Sequence, residues 1–122
     1  MELTQNRGTG NYIDSYQAGG FVINKTRYKS SLIIAPHSPV TMWRPCNLAD
    51  LTTTDLASLV ALKPKILILG IGKTFNFPSV DLLAPFYAAG IGIEVMDTAA
   101  ACRTYNILMS EERAVVVALL ME

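Results

Sequence analysis

The first half of the chain carries short runs of β-forming residues. These runs lie at Tyr12–Tyr16, Phe21–Ile23 and Thr26–Ala35, and each of them predicts a strand. The dipeptide Asn24-Lys25 separates the last two runs and indicates a two-residue hairpin turn, because Asn tolerates the left-handed backbone that such a turn requires. Val40–Trp43 is flanked by prolines and therefore predicts only a short, peripheral strand. We expect this half to form β-hairpin elements.

The second half alternates helical and strand patterns. Three segments show helix signals: one is capped by Thr52, Thr53 or Thr54 and continues to about Leu62, one is opened by Pro78 and Ser79 and closed by Gly90, and one is capped by Asp97 and runs from Thr98 to about Glu111. Three apolar runs lie between or after these segments, namely Ile66–Leu69, Gly92–Met96 and Val115–Leu120. Continuous apolar runs are typical of strands that are covered on both faces.

This alternation predicts the α/β class. Strands that alternate with helices form a central, mostly parallel sheet with helices on both faces. We therefore expect a three-layer fold in which the N-terminal hairpin strands flank or extend the sheet. A chain of 122 residues is long enough for one domain. We assign residues 1–10, which are polar, to a flexible tail and residues 11–122 to a single α/β domain.

Composition and charge exclude several classes of protein. An apolar fraction of 51% with only 16% charged residues excludes intrinsic disorder. The 10 basic and 10 acidic residues cancel, and a neutral chain lacks the excess of cations that binding to nucleic acid requires. A surface with so few charges favours a protein partner or self-association. We expect protein partners or, as the alternative, a homo-oligomer, and no nucleic acid.

The start of the chain and its cysteines indicate a compartment. Met1–Gly10 has neither the apolar stretch of a secretory signal nor the composition of a transit peptide. The longest apolar run, Ala114–Met121, is far shorter than the ~20 residues of a membrane span, so we expect no membrane insertion. Cys46 and Cys102 are too few for a disulfide framework and are interpreted as reduced, partly buried thiols. These features predict a cytoplasmic protein.

Motifs for cofactors are incomplete. A P-loop that ends at Gly72-Lys73-Thr74 requires glycine five positions earlier, where this chain has Leu67. Gly70-Ile71-Gly72 begins a dinucleotide fingerprint, but the third glycine position holds Phe75, which would prevent close packing of the helix. His37 is the single histidine, so it forms neither a four-ligand zinc site nor an activated cysteine nucleophile with the distant cysteines. The sequence predicts no cofactor, no metal and no catalytic residue.

The third helix carries the candidate ligand site. Asp97 begins this helix, and Arg103, Asn106 and Ser110 share one of its faces at spacings of i, i+3 and i+7. A polar stripe of this kind is most often a solvated helix face. Its functional interpretation is a small polar pocket at the carboxyl-terminal edge of the sheet, where ligands of open α/β sheets bind. The predicted ligand-binding residues are Gly70, Gly72, Asp97, Thr98, Arg103 and Asn106.

Two further side chains carry alternative interpretations. Cys102 lies in the second turn of the third helix, where the helix dipole lowers the pKa of a thiol, but its alanine neighbours favour a buried, inert cysteine. Trp43 lies beside Arg44 and prolines. It serves either as cover for the core or as an anchor for a partner, because Trp is frequent at binding hot spots. We favour the core for both residues.

One long stretch of the sequence resembles a known family. Gly90–Thr98 followed by Ala100–Asn106 is similar to the complex I assembly factor 3-like family, which comprises NADH dehydrogenase assembly factors and bacterial relatives and is catalogued as a domain of unknown function. Agreement elsewhere comes from Gly20, Phe21, Ile23, Asn24, Tyr28, Ser31, Leu32, Trp43, Gly70–Gly72, Phe77, Pro78, Glu111 and Arg113. The resemblance covers about Tyr12 to Leu120. It implies a three-layer α/β fold whose last strand is antiparallel to its neighbours.

Two positions depart from the pattern of this family. Its members often have glycine after the hairpin Asn, where this chain has Lys25, and between Glu111 and Arg113, where this chain has Glu112. Without glycine at position 112, we expect the third helix to end in a frayed or tighter turn instead of a left-handed cap.

Two functional hypotheses follow. The resemblance implies a non-enzymatic interaction module that binds other proteins and aids assembly of the respiratory NADH dehydrogenase, as mitochondrial members of the family do. The family has no established catalytic residues. The alternative is a small-molecule binding protein or minor enzyme, in which Asp97 and Arg103 orient a polar or anionic ligand and the amides of Gly72 assist.

Overall fold

The N-terminal strands form a sheet of their own. The computed structural model describes residues 10–17 and 19–122, so the predicted tail lies outside the described residues except for Gly10. β1 (Ile13–Gln17), β2 (Gly20–Ile23) and β3 (Thr26–Tyr28) pair as an antiparallel meander. The predicted hairpin turn joins β2 to β3, with both residues of Asn24-Lys25 left-handed at φ values of 48° and 70°.

A second sheet, which we call the central sheet, positions the candidate site. Within the described residues its strands are β4 (Leu32–Ile34), β5 (Thr41–Met42), β6 (Ile66–Gly70), β7 (Gly92–Met96) and β8 (Val115–Leu119). Their spatial order is β5-β4-β8-β6-β7. β6 is parallel to β7 and to β8, whereas β4 is antiparallel to β8 and to β5. The central sheet is therefore mixed, and the expectation of a mostly parallel sheet is wrong.

The directions and positions of other strands also differ from expectation. β8 is antiparallel only to β4; it is parallel to β6, because the chain between β7 and β8 returns to the end of the sheet where β6 begins. The run Thr26–Ala35 splits into β3 and β4, which belong to different sheets. β7 is an edge strand with a single neighbouring strand, and its residues Gly92 and Glu94 are exposed. The prediction of a second buried strand at Gly92–Met96 is therefore wrong.

Helices alternate with the later strands, which confirms the α/β class. Within the described residues they are α1 (Thr53–Val60), α2 (Val80–Ala88) and α3 (Thr98–Ser110), and a 3-10 turn at Leu48–Asp50 precedes α1. Thr52 and Asp97 cap α1 and α3, as predicted, by accepting hydrogen bonds from backbone amides of the first turn. Ser79 takes the capping position of α2 and Gly90 follows its end with φ 73°.

Helices pack against both faces of the central sheet, because neighbouring residues of β6 and β8 point to opposite sides. The core cluster on one side contains Phe21 and Ile23 of the meander, Ile68, Val117 and, from α3, Tyr105. The cluster on the other side contains Leu56 and Leu59 of α1, Phe86 of α2, Leu67 and Val116. Four of the five residues of β6 are buried, which confirms the predicted cover on both faces for that strand, and every residue of β8 is buried as well.

The end of α3 also differs from expectation. Glu112 is left-handed with φ 61°. Its amide donates to Met109 O at 3.0 Å, and the amide of Arg113 donates to Leu108 O at 3.0 Å. This pair of bonds is the Schellman arrangement, which usually requires glycine at the position that Glu112 occupies. The left-handed cap therefore forms without glycine, at a cost of about 1 kcal/mol, and the expected frayed or tighter turn is wrong.

Candidate functional site

The predicted site residues lie where β6, β7 and β8 end, an edge of the central sheet that we call the carboxyl edge. Thr98 is fully buried there. Its amide donates to Gly72 O at 2.9 Å, while its hydroxyl accepts from Gly72 N at 2.8 Å and donates to Leu120 O at 3.0 Å. Thr98 thus links the segments that follow all three strands.

The C-terminal residues cover the same turn. Leu120 N donates to Gly70 O at 2.8 Å, and Glu122 N donates to Cys46 O at 3.0 Å. Gly72 has φ 110°, and a Cβ atom at this position would lie 2.1 Å from Glu122 O. The protein's own backbone therefore occupies the space beside Gly72, and the amide of Gly72 is already bonded to Thr98. A ligand that binds at this edge would not use that amide.

The remaining predicted residues have separate roles. Asp97 accepts a hydrogen bond from Ala100 N at 2.8 Å as the cap of α3. Asn106 binds the backbone of β1, because its Oδ1 accepts from Ile13 N at 3.0 Å and its Nδ2 donates to Ile13 O at 2.8 Å. Arg103 is exposed and makes no hydrogen bond or ion pair with a described residue.

The structure therefore brings Gly70, Gly72 and Thr98 together, with Asp97 next to them. It uses Asn106 to hold β1 against α3, and it leaves Arg103 as the exposed cation near the start of that helix. The binding of a ligand by these residues stays a prediction.

The meander covers one side of this region. The ring of Tyr16 on β1 stacks on Phe21 with 5.0 Å between the ring centroids. Burial raises the pKa of Tyr16, and the nearby Cys102 and Asp97 raise it further. Tyr16 therefore lies close to the start of α3, a contact between the two halves of the chain that the sequence pattern did not indicate.

The cysteines have the character of structural thiols. Cys102 is buried, and burial raises its pKa to about 12, so desolvation outweighs any lowering by the helix dipole. Burial also raises the pKa of Cys46, which lies near Glu122 and Asp50. The prediction of free thiols is confirmed, since neither cysteine forms a disulfide in the described part of the chain.

Sequence reasoning missed a polar network at the start of α1. Arg44 Nε donates to Asp55 Oδ1 at 3.0 Å, and its NH2 group donates to Asp55 Oδ2 at 2.7 Å. Asp55 also accepts from the amide and the hydroxyl of Thr52, both at 2.9 Å. The hydrogen bonds from Arg44 are the main cause of a pKa of about 2 for Asp55. The spacing Thr52-x-x-Asp55 is a capping-box signal that could have indicated this network.

Exposed apolar side chains gather on the connection from β6 to α2 and at the first residue of α2. Phe75, Phe77 and Val80 are 51%, 60% and 71% exposed, and the ring centroids of Phe75 and Phe77 are 6.3 Å apart. We call these residues the aromatic surface. Trp43, by contrast, is buried in the core cluster that contains α1 and α2, which confirms the core interpretation. Its Nε1 has no hydrogen-bond partner among the described residues.

Across residues 10–17 and 19–122, no group of three or more His, Cys, Asp or Glu side chains could hold a metal ion. No helix in the same part of the chain has the length and apolar character that crossing a membrane requires.

Fold and sequence together define the class. A family described as "Protein of unknown function (DUF498/DUF598)" matches residues 13–120, and the chain belongs to this family. A crystal structure of a Bordetella parapertussis protein superposes with a TM-score of 0.87 at 38% identity, over 93% of this chain and 98% of that one. An outer membrane protein of Bartonella henselae superposes with a TM-score of 0.77 at 26% identity, over 91% of this chain and 94% of that one.

A curated relative carries a functional name. The chain is 34% identical over 111 residues to NADH dehydrogenase (ubiquinone) 1 alpha subcomplex assembly factor 3 of Homo sapiens. The match includes 89% of this chain but only 60% of the human protein. The resemblance to complex I assembly factors that the sequence indicated is therefore confirmed, and the chain spans less than two thirds of that relative.

Proposed function

We propose that this chain is a non-enzymatic interaction module that binds other proteins during assembly of the respiratory NADH dehydrogenase. The name of the human relative supports the process. That relative is longer than this chain, so its role in assembly is attributed to this chain only as a proposal. We also propose that residues 11–122 act as one three-layer domain.

The observation that carries this proposal is the aromatic surface. Water solvates more than half of Phe75, Phe77 and Val80 in the free protein. A partner that buries them gains about 25 cal/mol for each Å² of apolar area removed from water. Phe75 and Phe77 lie between Gly72, which bonds to Thr98, and the buried Pro78, and Val80 follows as the first residue of α2. A surface held in this way loses little conformational entropy when a partner binds.

Affinity capture from the native cells tests the proposal. The bait is the tagged full chain, compared with a double variant, Phe75→Ser with Phe77→Ser. The matched control is Tyr87→Ser with Ile107→Ser, since these residues are 59% and 58% exposed at other places on the surface. We expect subunits or assembly proteins of the NADH dehydrogenase with the wild type and the control, and their loss with the Phe75 and Phe77 variant. Failure to recover any such protein would contradict the proposal, and equal recovery with both variants would exclude the aromatic surface.

The location of the protein and its self-association need separate tests. We propose a cytoplasmic protein that self-associates, as its composition favours. A Bartonella henselae relative is described as an outer membrane protein, so cell fractionation is the decisive measurement, and recovery in the membrane fraction would contradict the proposed location. Light scattering after size exclusion measures the oligomeric state, and a monomer at all concentrations would contradict self-association.

Ligand binding at the carboxyl edge is the second candidate function. The exposed Arg103 beside the start of α3 supports it. In this proposal Arg103 and Asp97 contact the ligand. The wall beside them consists of Gly70, Gly72, Thr98 and Asn106, whose polar groups bond within the protein. A panel of small anions read by thermal shift tests this function. We expect stabilisation that disappears in Arg103→Ala, whereas a panel without any stabilising compound counts against the site.

A further inference from the structure

The opposite edge of the central sheet, where β6, β7 and β8 begin, is open. We call it the amino edge. A cleft of about 790 Å³ lies here between the loop after β4, the turn after α1 and the turn after α3. A smaller cleft of about 550 Å³ lies between the turns after α1 and α2. Lys63 and Pro64 line both clefts, so the two adjoin along the edge.

The larger cleft is lined both by exposed apolar side chains and by two cations. Leu62, which is 54% exposed, contributes apolar surface together with Pro36 and Ala114, whereas Met109, Val115 and Val116 line the cleft from within the core. The larger cleft is lined by the cations Lys63 and Arg113, by His37 and, as the one acid among its described lining residues, by Glu112. Lys65 adds a further cation in the smaller cleft. The chain as a whole has no net charge. The amino edge therefore carries a local excess of positive charge beside apolar surface.

Arg113 remains available to a ligand. Among the described residues it pairs with the carboxylate of Glu111, at 3.7 Å, and both side chains are about half exposed, at 51% and 55%. An exposed pair at this distance is screened by water and contributes little. An anion that enters the cleft can therefore compete with Glu111 for the guanidinium.

The walls of the larger cleft are held in place before any ligand binds. Asn11 fixes the loop after β4, because its amide donates to Pro36 O and its Nδ2 donates to Ala35 O, both at 2.8 Å. Lys63 and Glu112 line the cleft with left-handed backbones, at φ 53° and 61°. Non-glycine residues keep such strained conformations where the surrounding structure fixes them, and they are frequent at binding sites.

We propose that the amino edge binds a small organic anion with a hydrocarbon body. Lys63 and Arg113 hold its carboxylate or phosphate group through charge-assisted hydrogen bonds, and the apolar surface at Leu62 and Ala114 receives the hydrocarbon. The volume of the larger cleft lies in the range of ordinary small-molecule sites. This site lies at the opposite edge of the central sheet from Arg103 and from the aromatic surface. The proposal does not depend on the proposed role in assembly.

Calorimetric titration of the full chain with matched probes tests this proposal. Octanoate and octyl phosphate carry both charge and hydrocarbon, octan-1-ol carries the hydrocarbon alone, and acetate carries the charge alone. We expect octanoate or octyl phosphate to bind at least about tenfold more tightly than octan-1-ol and acetate. The stronger of the two anions identifies the acid group that the site prefers. If none of the probes binds, the proposal is wrong.

Charge-neutral variants locate the site. We expect Lys63→Gln and Arg113→Gln each to weaken the binding of the preferred anion about tenfold, which is the loss of one charge-assisted hydrogen bond. Lys73→Gln, on the connection that follows β6 at the carboxyl edge, is the control and should bind as the wild type does. Unfolding midpoints verify that each variant is folded, and two variants in different turns keep the test informative if one of them is not. Unchanged affinity in both would overturn the proposal.

Amide chemical shifts measured by NMR separate this site from non-specific binding. We expect the shifts induced by octanoate to concentrate at residues 62–65 and 110–116. Shifts that concentrate at residues 75–80 instead would place the probe on the aromatic surface and overturn the proposal.

Discussion

At the carboxyl edge of the central sheet, a buried hydroxyl and backbone groups fill the space beyond the ends of the strands. At the amino edge, by contrast, the turns are separated and leave two clefts. β7 and β8 lie on opposite sides of β6, and α2 and α3 pack on opposite faces. In open α/β sheets this arrangement creates a ligand crevice at the carboxyl edge. Here Thr98 and the C-terminal residues fill part of it, so the position of an edge in the topology does not by itself show where an open site lies.

The largest loss of stability is expected when a methyl group is added at the carboxyl edge. Gly72→Ala puts a Cβ atom 2.1 Å from Glu122 O and forces alanine to adopt φ 110°. We expect a loss of more than about 3 kcal/mol in the free energy of unfolding, measured in urea. The control is Gly90→Ala, because Gly90 also has positive φ, at 73°, but its Cβ would meet no described atom within 4 Å. A loss of about 1 kcal/mol is expected there, and equal losses at the two positions would refute the close contact.

The next effect concerns the buried hydroxyl at the same edge. Thr98→Val keeps the side-chain shape but leaves Gly72 N and Leu120 O without the bonds that Thr98 Oγ1 makes. We expect about 2–3 kcal/mol of destabilisation, because buried polar groups lose their partners. Thr104→Val is a matched control on the same helix, since the Thr104 hydroxyl makes no hydrogen bond with a described residue. Similar unfolding curves for the two variants would contradict the bridging role of Thr98.

Acid should weaken the start of α1. The hydrogen bonds from Arg44 lower the pKa of Asp55 from 3.8 to about 2, so the unfolded chain takes up this proton first as the pH falls. The stabilisation is complete above pH 4 and is lost as the pH falls towards 2. It amounts to about 1–2 kcal/mol after screening by water around the half-exposed Arg44.

Unfolding measured between pH 2 and pH 6 checks this dependence. Asp55→Asn should remove the corresponding part of the acid sensitivity, whereas Asp81→Asn, at an exposed position in the first turn of α2, should retain it. If Asp55→Asn and the wild type lose stability in parallel over this range, Asp55 is not the responsible group.

The smallest expected change is a gain in stability, and it comes from a substitution at the amino edge. Glu112→Gly should stabilise the protein by about 0.5–1 kcal/mol, because glycine adopts φ 61° without strain. Glu111→Gly is the control; Glu111 has φ −88°, so glycine brings no relief there and should destabilise the protein. If Glu112→Gly also lowers the unfolding midpoint, the left-handed cap is not strained.

Local features of the fold were predictable to a large extent. The caps at Thr52 and Asp97 and the turn at Asn24-Lys25 depend on side chains that bond to backbone groups a few residues away, so their signals lie within short segments. Glu112 shows the limit of such signals. The packing of α3 and β8 imposes a left-handed cap on a residue whose own preference argues against it.

The candidate site was less accessible to prediction. The stripe on α3 correctly places Arg103 at the surface, but Asn106 on the same stripe binds Ile13, which lies 93 positions away in the chain. The amino edge offered no motif, because its cations come from separate turns that meet only in the folded protein.

By itself the sequence determined the alternation of helices and strands, the apolar character of β6 and β8, and the membership of a family that has assembly factors among its relatives. Only the tertiary structure decided the direction of β8 relative to β6 and β4, the filling of the carboxyl edge and the opening of the amino edge. The reason is the range of the interactions. Periodicity and capping act within a few residues, whereas strand pairing and buried hydrogen bonds join segments that are far apart in the chain.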